Sequence, residues 1–243
     1  LVPTTCGTGS EVTEIAAINR TRLGCKAGIA GPEMFADDAV LVPELLYGLP
    51  DHVFATSSLD ALVHSVESTL SPNSTPYTRM LGYEAMKMII SGYKARIVGG
   101  DQEVAHQFVA LGAALRRTGG CAAVHALSYQ LGGKYHVPHG ESNYAMFTGV
   151  LRNYMEIKPE GEILKMNQFI ADILGCDVAD VYDALETLIN KLLPKKALHE
   201  YGVTEQDLPE FADRVIKTQE RLMKNCFVPL DYDRVLKIFK ELY

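Results

Sequence analysis

Three of the seven histidines fall within one short run, His125-Ala-Leu-Ser-Tyr-Gln-Leu-Gly-Gly-Lys-Tyr-His-Val-Pro-His139, with Gly140 and Glu141 directly behind it. Packing alone does not concentrate imidazoles in this way, so the run raises the question of what they hold. A second segment upstream, "SSLDALVHSVESTL", places Asp60 and His64 four residues apart, and on a helix that spacing puts both side chains on one face. Glu67 continues the same stripe. Each feature has a plain explanation. Asp60 and His64 can be a solvated surface pair, and His125, in the apolar setting "GGCAAVHAL", can be a satisfied core histidine. Taken together, one carboxylate and up to three imidazoles form a nitrogen-and-oxygen donor set for a divalent first-row metal. Iron, zinc and nickel all suit it, and no cysteine is placed by spacing to favour a softer site. His139, held between Pro138 and Gly140, is read as a loop residue with little backbone slack.

The chain opens on a different kind of chemistry. "PTTCGTGSEVT" crowds hydroxyls and glycines together, yet Gly7-Thr8-Gly9 lacks the third glycine and following helix of a dinucleotide fingerprint. Two readings stand side by side. One is a tight turn whose hydroxyls cap backbone groups, and the other is a polar ledge against an anionic or sugar-bearing cofactor. Lys26, isolated in "GCKAGIAG", either adds a cation to that ledge or is an exposed strand lysine.

These residues must be positioned by two textures of sequence. The runs "EVTEIAAINR", "CKAGIAG" and "DDAVLVP" are short, β-branched or alanine-rich and divided by Gly, Asn and Pro, which predicts strands and turns. Beyond Pro50, apolar residues recur at three- and four-residue spacing in "SLDALVHSVESTL", "YTRMLGYEAMKMIISGYKARIV", "EVAHQFVALGAALRR", "EILKMNQFIADIL" and "DVYDALETLINKLL", which predicts helices. Ser57 with Asp60, and Thr204 with Asp207, are read as helix starts. The expectation is a β-rich stretch over residues 1–50 followed by an all-helical domain over 51–243.

The bulk numbers narrow the function. A net charge of −7 supplies no basic stripe for nucleic acid. No apolar run approaches the roughly 18 residues of a membrane span. Five scattered cysteines, none in a CxxC pair, favour free thiols and a cytoplasmic setting. The chain begins without Met on what reads as a functional loop, so the expectation is a C-terminal piece of a longer polypeptide.

In order and spacing, "PTTCGTGSEVT", "DALVHSVE" and "VHALSYQLGGKYHVPHGESN" resemble the iron-containing (group III) alcohol dehydrogenase family, and within it the histidine block is most similar to 4-hydroxybutyrate dehydrogenases. The resemblance implies a mainly α chain: residues 1–50 close an α/β nucleotide-binding domain, and 51–243 form the helical metal-binding domain of the dehydroquinate synthase-like architecture. It implies a divalent metal, Fe2+ foremost with Zn2+ as the alternative, held by Asp60, His64, His125 and His139. It also implies NAD, with NADP left open, lined by Thr4, Thr5, Thr8, Ser10 and Thr13 with Lys26 nearby. The substrate class is a small alcohol or aldehyde, and a homo-oligomer is expected.

The sequence departs from the family in two places. Tyr129 stands where many members carry a second histidine, and His136 where others often have Asn or Asp; either is a candidate to carry the proton. The glycine-rich pyrophosphate loop of the family is not among these residues. Lys134 is the residue of the histidine block that could meet a substrate carboxylate. Other group III activities (1,3-propanediol, lactaldehyde or butanol), a His/Asp metallohydrolase and a helical interaction module are the competing readings.

Overall fold

The computed structural model describes residues 1–20, 25–100 and 120–243. The helix expected at 103–117 lies outside the described residues, as does the side chain of Lys26.

The N-terminal loop leads through Gly9, in the left-handed region at φ 54°, into a single 3-10 turn at Ser10–Val12. An antiparallel hairpin follows, β1 (Ile15–Arg20) against β2 (Cys25–Ala30), with Ile15 opposite Ala30 and Arg20 opposite Cys25. The run "DDAVLVP" is not a strand. Among the described residues its only backbone bonds beyond local turns are to the chain's first residue, Val40 N–H donating to the Leu1 carbonyl and the Leu1 amino group to the Asp38 carbonyl, and a β-strand needs a continued ladder to satisfy its amides. Strand-forming composition without an adjacent edge leaves an irregular segment.

Beyond Pro50 the described chain is helical, as the change of period predicts. α1 (Asp51–Leu70) starts directly behind Pro50 with Asp51 in its first turn, where a carboxylate complements the positive helix end. Ser57 is therefore an interior residue of this helix and not its start; its hydroxyl donates back to the Phe54 carbonyl at 3.3 Å. From Ser58 to Leu70 every side chain of α1 is buried, so the helix is wrapped on all sides and has no polar face to spare. α2 (Pro76–Ile97) packs along it, opened by a capping box in which Thr75 and Thr78 exchange side-chain and backbone bonds, with Pro76 in the first turn.

Two helices complete the centre. α3 (Ala123–Lys134) and α4 (His139–Ile157) pack against each other, and α4 also lies along α1. The remaining described helices, α5 (Glu162–Leu174), α6 (Val181–Ile189), α7 (Asp207–Thr218), α8 (Glu220–Met223) and α9 (Tyr232–Leu242), pack on α2, α3 and α4 and on one another. α5 stops on Gly175 at φ 75°, the left-handed conformation that ends helices. α7 begins at Asp207, behind Gln206 and three residues past Thr204, the foretold start, although Asp207 Oδ2 accepts from both the backbone N–H and the hydroxyl of Thr204 at 2.7 Å. Among the described residues no helix is long and apolar enough to cross a membrane.

The central approach of α1 and α4 depends on one glycine. A Cβ on Gly140 would stand 2.6 Å from the carbonyl carbon of Thr56, backbone against backbone. This contact lies one residue past His139 and one turn before Asp60, so the close approach sets the spacing between those two side chains.

Candidate metal centre

α1 delivers Asp60 and His64 one turn apart, α3 delivers His125 from its first turn, and α4 begins with His139. His139 is thus a first-turn helical residue behind Pro138, not a loop residue. The three helices bring the imidazoles around one carboxylate oxygen. Asp60 Oδ1 lies 3.2 Å from His64 Nε2, 3.3 Å from His125 Nε2 and 3.4 Å from His139 Nε2. Each is close to the ~3.3–3.4 Å expected between two ligand atoms of one metal with bonds of ~2.0–2.1 Å, although Asp60, His125 and His139 form one compact group while His64 falls with Cys121 and His125.

A second observation concerns Asn143, one turn beyond His139 on α4. Its Nδ2 faces Asp60 Oδ1 at 2.9 Å, His125 Nε2 at 3.2 Å and His139 Nε2 at 3.5 Å, while its buried Oδ1 has no hydrogen-bond partner. Leaving a buried carbonyl oxygen without a partner costs about 1–3 kcal/mol. The amide is turned donor-first despite that cost because three acceptor-capable atoms converge on it. Such a focus of electron pairs is where a cation fits. Asp60 and His125 are 5% and 1% exposed, whereas His139 is 35% exposed, so the centre is closed from behind and reached from the His139 side.

The electrostatics follow from the crowding. Burial by itself would raise the Asp60 carboxyl, but His64, His125 and His139 outweigh it and hold it well below the usual carboxylate range. His125 is pushed the other way: burial alone would lower it, and Cys121 and Glu67 raise it well above the ordinary imidazole value. A metal ion entering the cluster has to displace that proton.

Of two further neighbours, Cys121 carries no spacing signal and Glu67 is legible only as the continuation of the Asp60–His64 stripe. Cys121 lies with its Sγ 3.3 Å from His64 Nδ1, and its thiol, despite burial, is drawn down to about 5 by His125 and His64. The expectation that no thiolate approaches the site is therefore corrected. His64, Cys121 and His125 form one compact group of potential ligand atoms, and Asp60, His125 and His139 form another. Cys121 precedes α3, so the four-residue interval to His125 is not a helical one. Glu67, one turn past His64, bonds His125 Nδ1 at 2.6 Å. The His64 and His125 rings stack with centroids 4.2 Å apart.

Of the two proton-carrying candidates, Tyr129 is next to the centre, its ring 5.9 Å from that of His139. Burial raises its phenol above the ordinary value, so it is a donor at neutral pH. His136 is not brought in. It sits exposed in the α3–α4 turn at φ 56°, and among the described residues no ring contact joins it to the other histidines. Lys134 is also elsewhere, bound to Asp207 at 2.5 Å and Glu210 at 3.4 Å on α7.

The N-terminal loop is seated directly on α1. Cys6 Sγ is 3.4 Å from Ser57 Oγ, and a Cβ on Gly7 would stand 2.8 Å from the Ser57 Cα. Only a residue without a side chain lets the loop lie this close, three residues before Asp60 on the helix. Thr4, Thr8 and Ser10 are exposed and Thr5 and Thr13 half-buried, with the Thr8 and Ser10 hydroxyls 2.9 Å apart. The loop therefore presents hydroxyls to solvent beside α1. Of Lys26 the backbone is described, paired opposite Asn19 in the hairpin.

Comparison with known proteins places this arrangement. Residues 54–243 match the model of the Fe-containing alcohol dehydrogenase family, C-terminal. The chain is 45% identical to a 4-hydroxybutyrate dehydrogenase of Clostridium kluyveri, over 100% of its own length and 67% of that protein, and 33% identical to a sulfoacetaldehyde reductase of Bilophila wadsworthia, over 99% and 64%. A solved 1,3-propanediol oxidoreductase superposes with a TM-score of 0.86 at 25% identity, over 100% of this chain and 65% of that one. A halo-thermophilic archaeal alcohol dehydrogenase from a Red Sea brine pool superposes at 0.90 and 22% identity, over 100% and 63%. The chain spans about two-thirds of the length of these relatives.

Proposed function

The chain belongs to the iron-containing alcohol dehydrogenase family, and we propose that within it the protein is a metal-dependent, NAD-linked dehydrogenase interconverting 4-hydroxybutyrate and succinic semialdehyde. The observation that carries the reading is the convergence of three imidazole Nε2 atoms on Asp60 Oδ1, from three helices, with the Tyr129 ring beside His139 on the more open side. The 45% identity along the whole chain supports the choice of substrate.

Asp60, His64, His125 and His139 would hold the cation, and Thr4, Thr5, Thr8, Ser10 and Thr13 would face the cofactor. When bound, the metal supplies a Lewis acid and the nicotinamide a hydride acceptor. The chain's own part is orientation and proton handling. α1 and α3 close the centre against water from behind, which strengthens every charge interaction inside it. Tyr129, protonated and beside His139, is the group placed to donate a proton to the carbonyl oxygen in the aldehyde-to-alcohol direction. Residues 1–50 are assigned to the nucleotide-binding side and 51–243 to the metal-bearing domain. Four free cysteines among the described residues fit a reducing cytoplasm.

The test is substrate discrimination by the iron-loaded product of the complete reading frame. With NAD, kcat/KM for 4-hydroxybutyrate should exceed that for 1-butanol or 1,3-propanediol by at least about tenfold. That ratio corresponds to ~1.4 kcal/mol of differential binding to the carboxylate. Equal or higher efficiency with the uncharged alcohols would assign the protein to another activity of the same family.

A further inference from the structure

The buried carboxylate of Glu67 is engaged by three donors at once. Its Oε1 accepts from Val124 N–H at 2.6 Å, and its Oε2 accepts from Ala122 N–H at 2.8 Å and lies 2.6 Å from His125 Nδ1. It is 3% exposed. α3 has no cap of its own, because the residue in the capping position is Ala122, which has no side-chain acceptor. The carboxylate of one helix thus closes the N-terminus of another, where the positive end of the helix favours a negative charge.

The same contact fixes a choice that His125 must make. An imidazole that ligates through one nitrogen is held by what the other nitrogen bonds. With Nδ1 against Glu67, one proton stays on Nδ1, so the nitrogen left to ligate a metal is Nε2, the atom that faces Asp60 at 3.3 Å. Glu67 is seven residues beyond Asp60, two turns along the same face of α1, so one helix grips His125 at both ring nitrogens. We propose that Glu67 is a positioning residue: a single buried carboxylate selects the metal-competent form of His125 and starts α3, so that ligand orientation and helix placement are set by one group.

The chemistry requires a carboxylate and not merely a polar residue of the same shape. Three N–H groups converge on its two oxygens. Glutamine in this position has one oxygen, and its amide NH2 must turn toward at least one of the three donors. Glu67→Gln is therefore a nearly isosteric change that removes a strong acceptor and sets donor against donor.

This inference rests on the metal reading of the site but not on the alcohol or the nicotinamide, so it is tested without turnover. In zinc-loaded protein with 15N-labelled histidine, one ring should show a protonated, strongly hydrogen-bonded Nδ1 and a metal-bound Nε2, and that signal should be absent in His125→Gln. Glu67→Gln should bind zinc about 10–100-fold more weakly in competition with a chromophoric chelator. Its Nδ1 proton should move upfield or exchange rapidly. Metal bound to His125 through Nδ1 in the unmodified protein would overturn the proposal even if the variant fails to fold. So would Glu67→Gln with zinc affinity within about threefold of the parent. An unmodified protein that takes up no zinc and no iron would instead remove the metal reading, and this inference with it.

Discussion

Replacing Asp60 with alanine should leave a protein that emerges from dialysis against a chelator with neither iron nor zinc, where the parent retains about one metal per chain. Asp60 supplies the one oxygen that all three imidazoles share, at 3.2–3.4 Å, and it is the only anionic member of its ligand group. Four-ligand sites in small zinc-folding peptides bind with about 10–16 kcal/mol, so losing one of four donors removes on the order of 3 kcal/mol, or about two decades of affinity. The loss here should be larger, because three imidazoles without a carboxylate present no compensating negative charge. Asp60→Asn keeps the shape and should fail in the same way, which separates a lost charge from a lost fold. Elemental analysis checks it, and unchanged metal content in both variants would remove Asp60 from the site.

Gly140→Ala should be as damaging without touching a ligand. The added methyl group meets the backbone of Thr56, which cannot swing aside as a side chain can. Overpacking of this kind costs about 1–3 kcal/mol or more, and for a chain of this size 3 kcal/mol corresponds to ~6–12 °C in Tm. Because His139 precedes Gly140 and Asn143 lies one turn along, any relief by moving α4 off α1 also withdraws both from Asp60. Thermal melting and metal content should therefore fall together. Gly48→Ala is the control: its added methyl meets nothing within 4 Å, so melting should stay near the parent value. A Gly140→Ala protein with the parent's Tm and metal content would contradict the packing account.

The helical half was legible because its signals are local. Asp60 and His64 share a face by periodicity alone, "EILKMNQFIADIL" coincides with α5, and Thr204 stands within three residues of the start of α7. What failed depends on through-space partners. "DDAVLVP" has the composition of a strand but no neighbouring edge, and Ser57 has a capping residue's type but lies inside a helix that Pro50 and Asp51 already begin. His136 shares a segment with His125 and His139, yet it stands exposed in the α3–α4 turn. Cys121, Asn143 and the capping role of Glu67 arise only where α1, α3 and α4 meet. Of these, only Asn143 left a trace in the sequence, four residues after His139 on what proves to be one helix.

The central claim is that a metal is held by one carboxylate and three imidazoles, and Cys121 is the residue that puts it at risk. X-ray absorption at the metal edge of the iron- or zinc-loaded protein decides between the two donor sets. The account predicts a first shell of oxygen and nitrogen only, which for zinc lies at ~2.0–2.2 Å, unchanged in Cys121→Ser. A sulfur scatterer, at ~2.3 Å in the zinc-loaded protein and lost in Cys121→Ser, would place the metal with His64, Cys121 and His125 and contradict it.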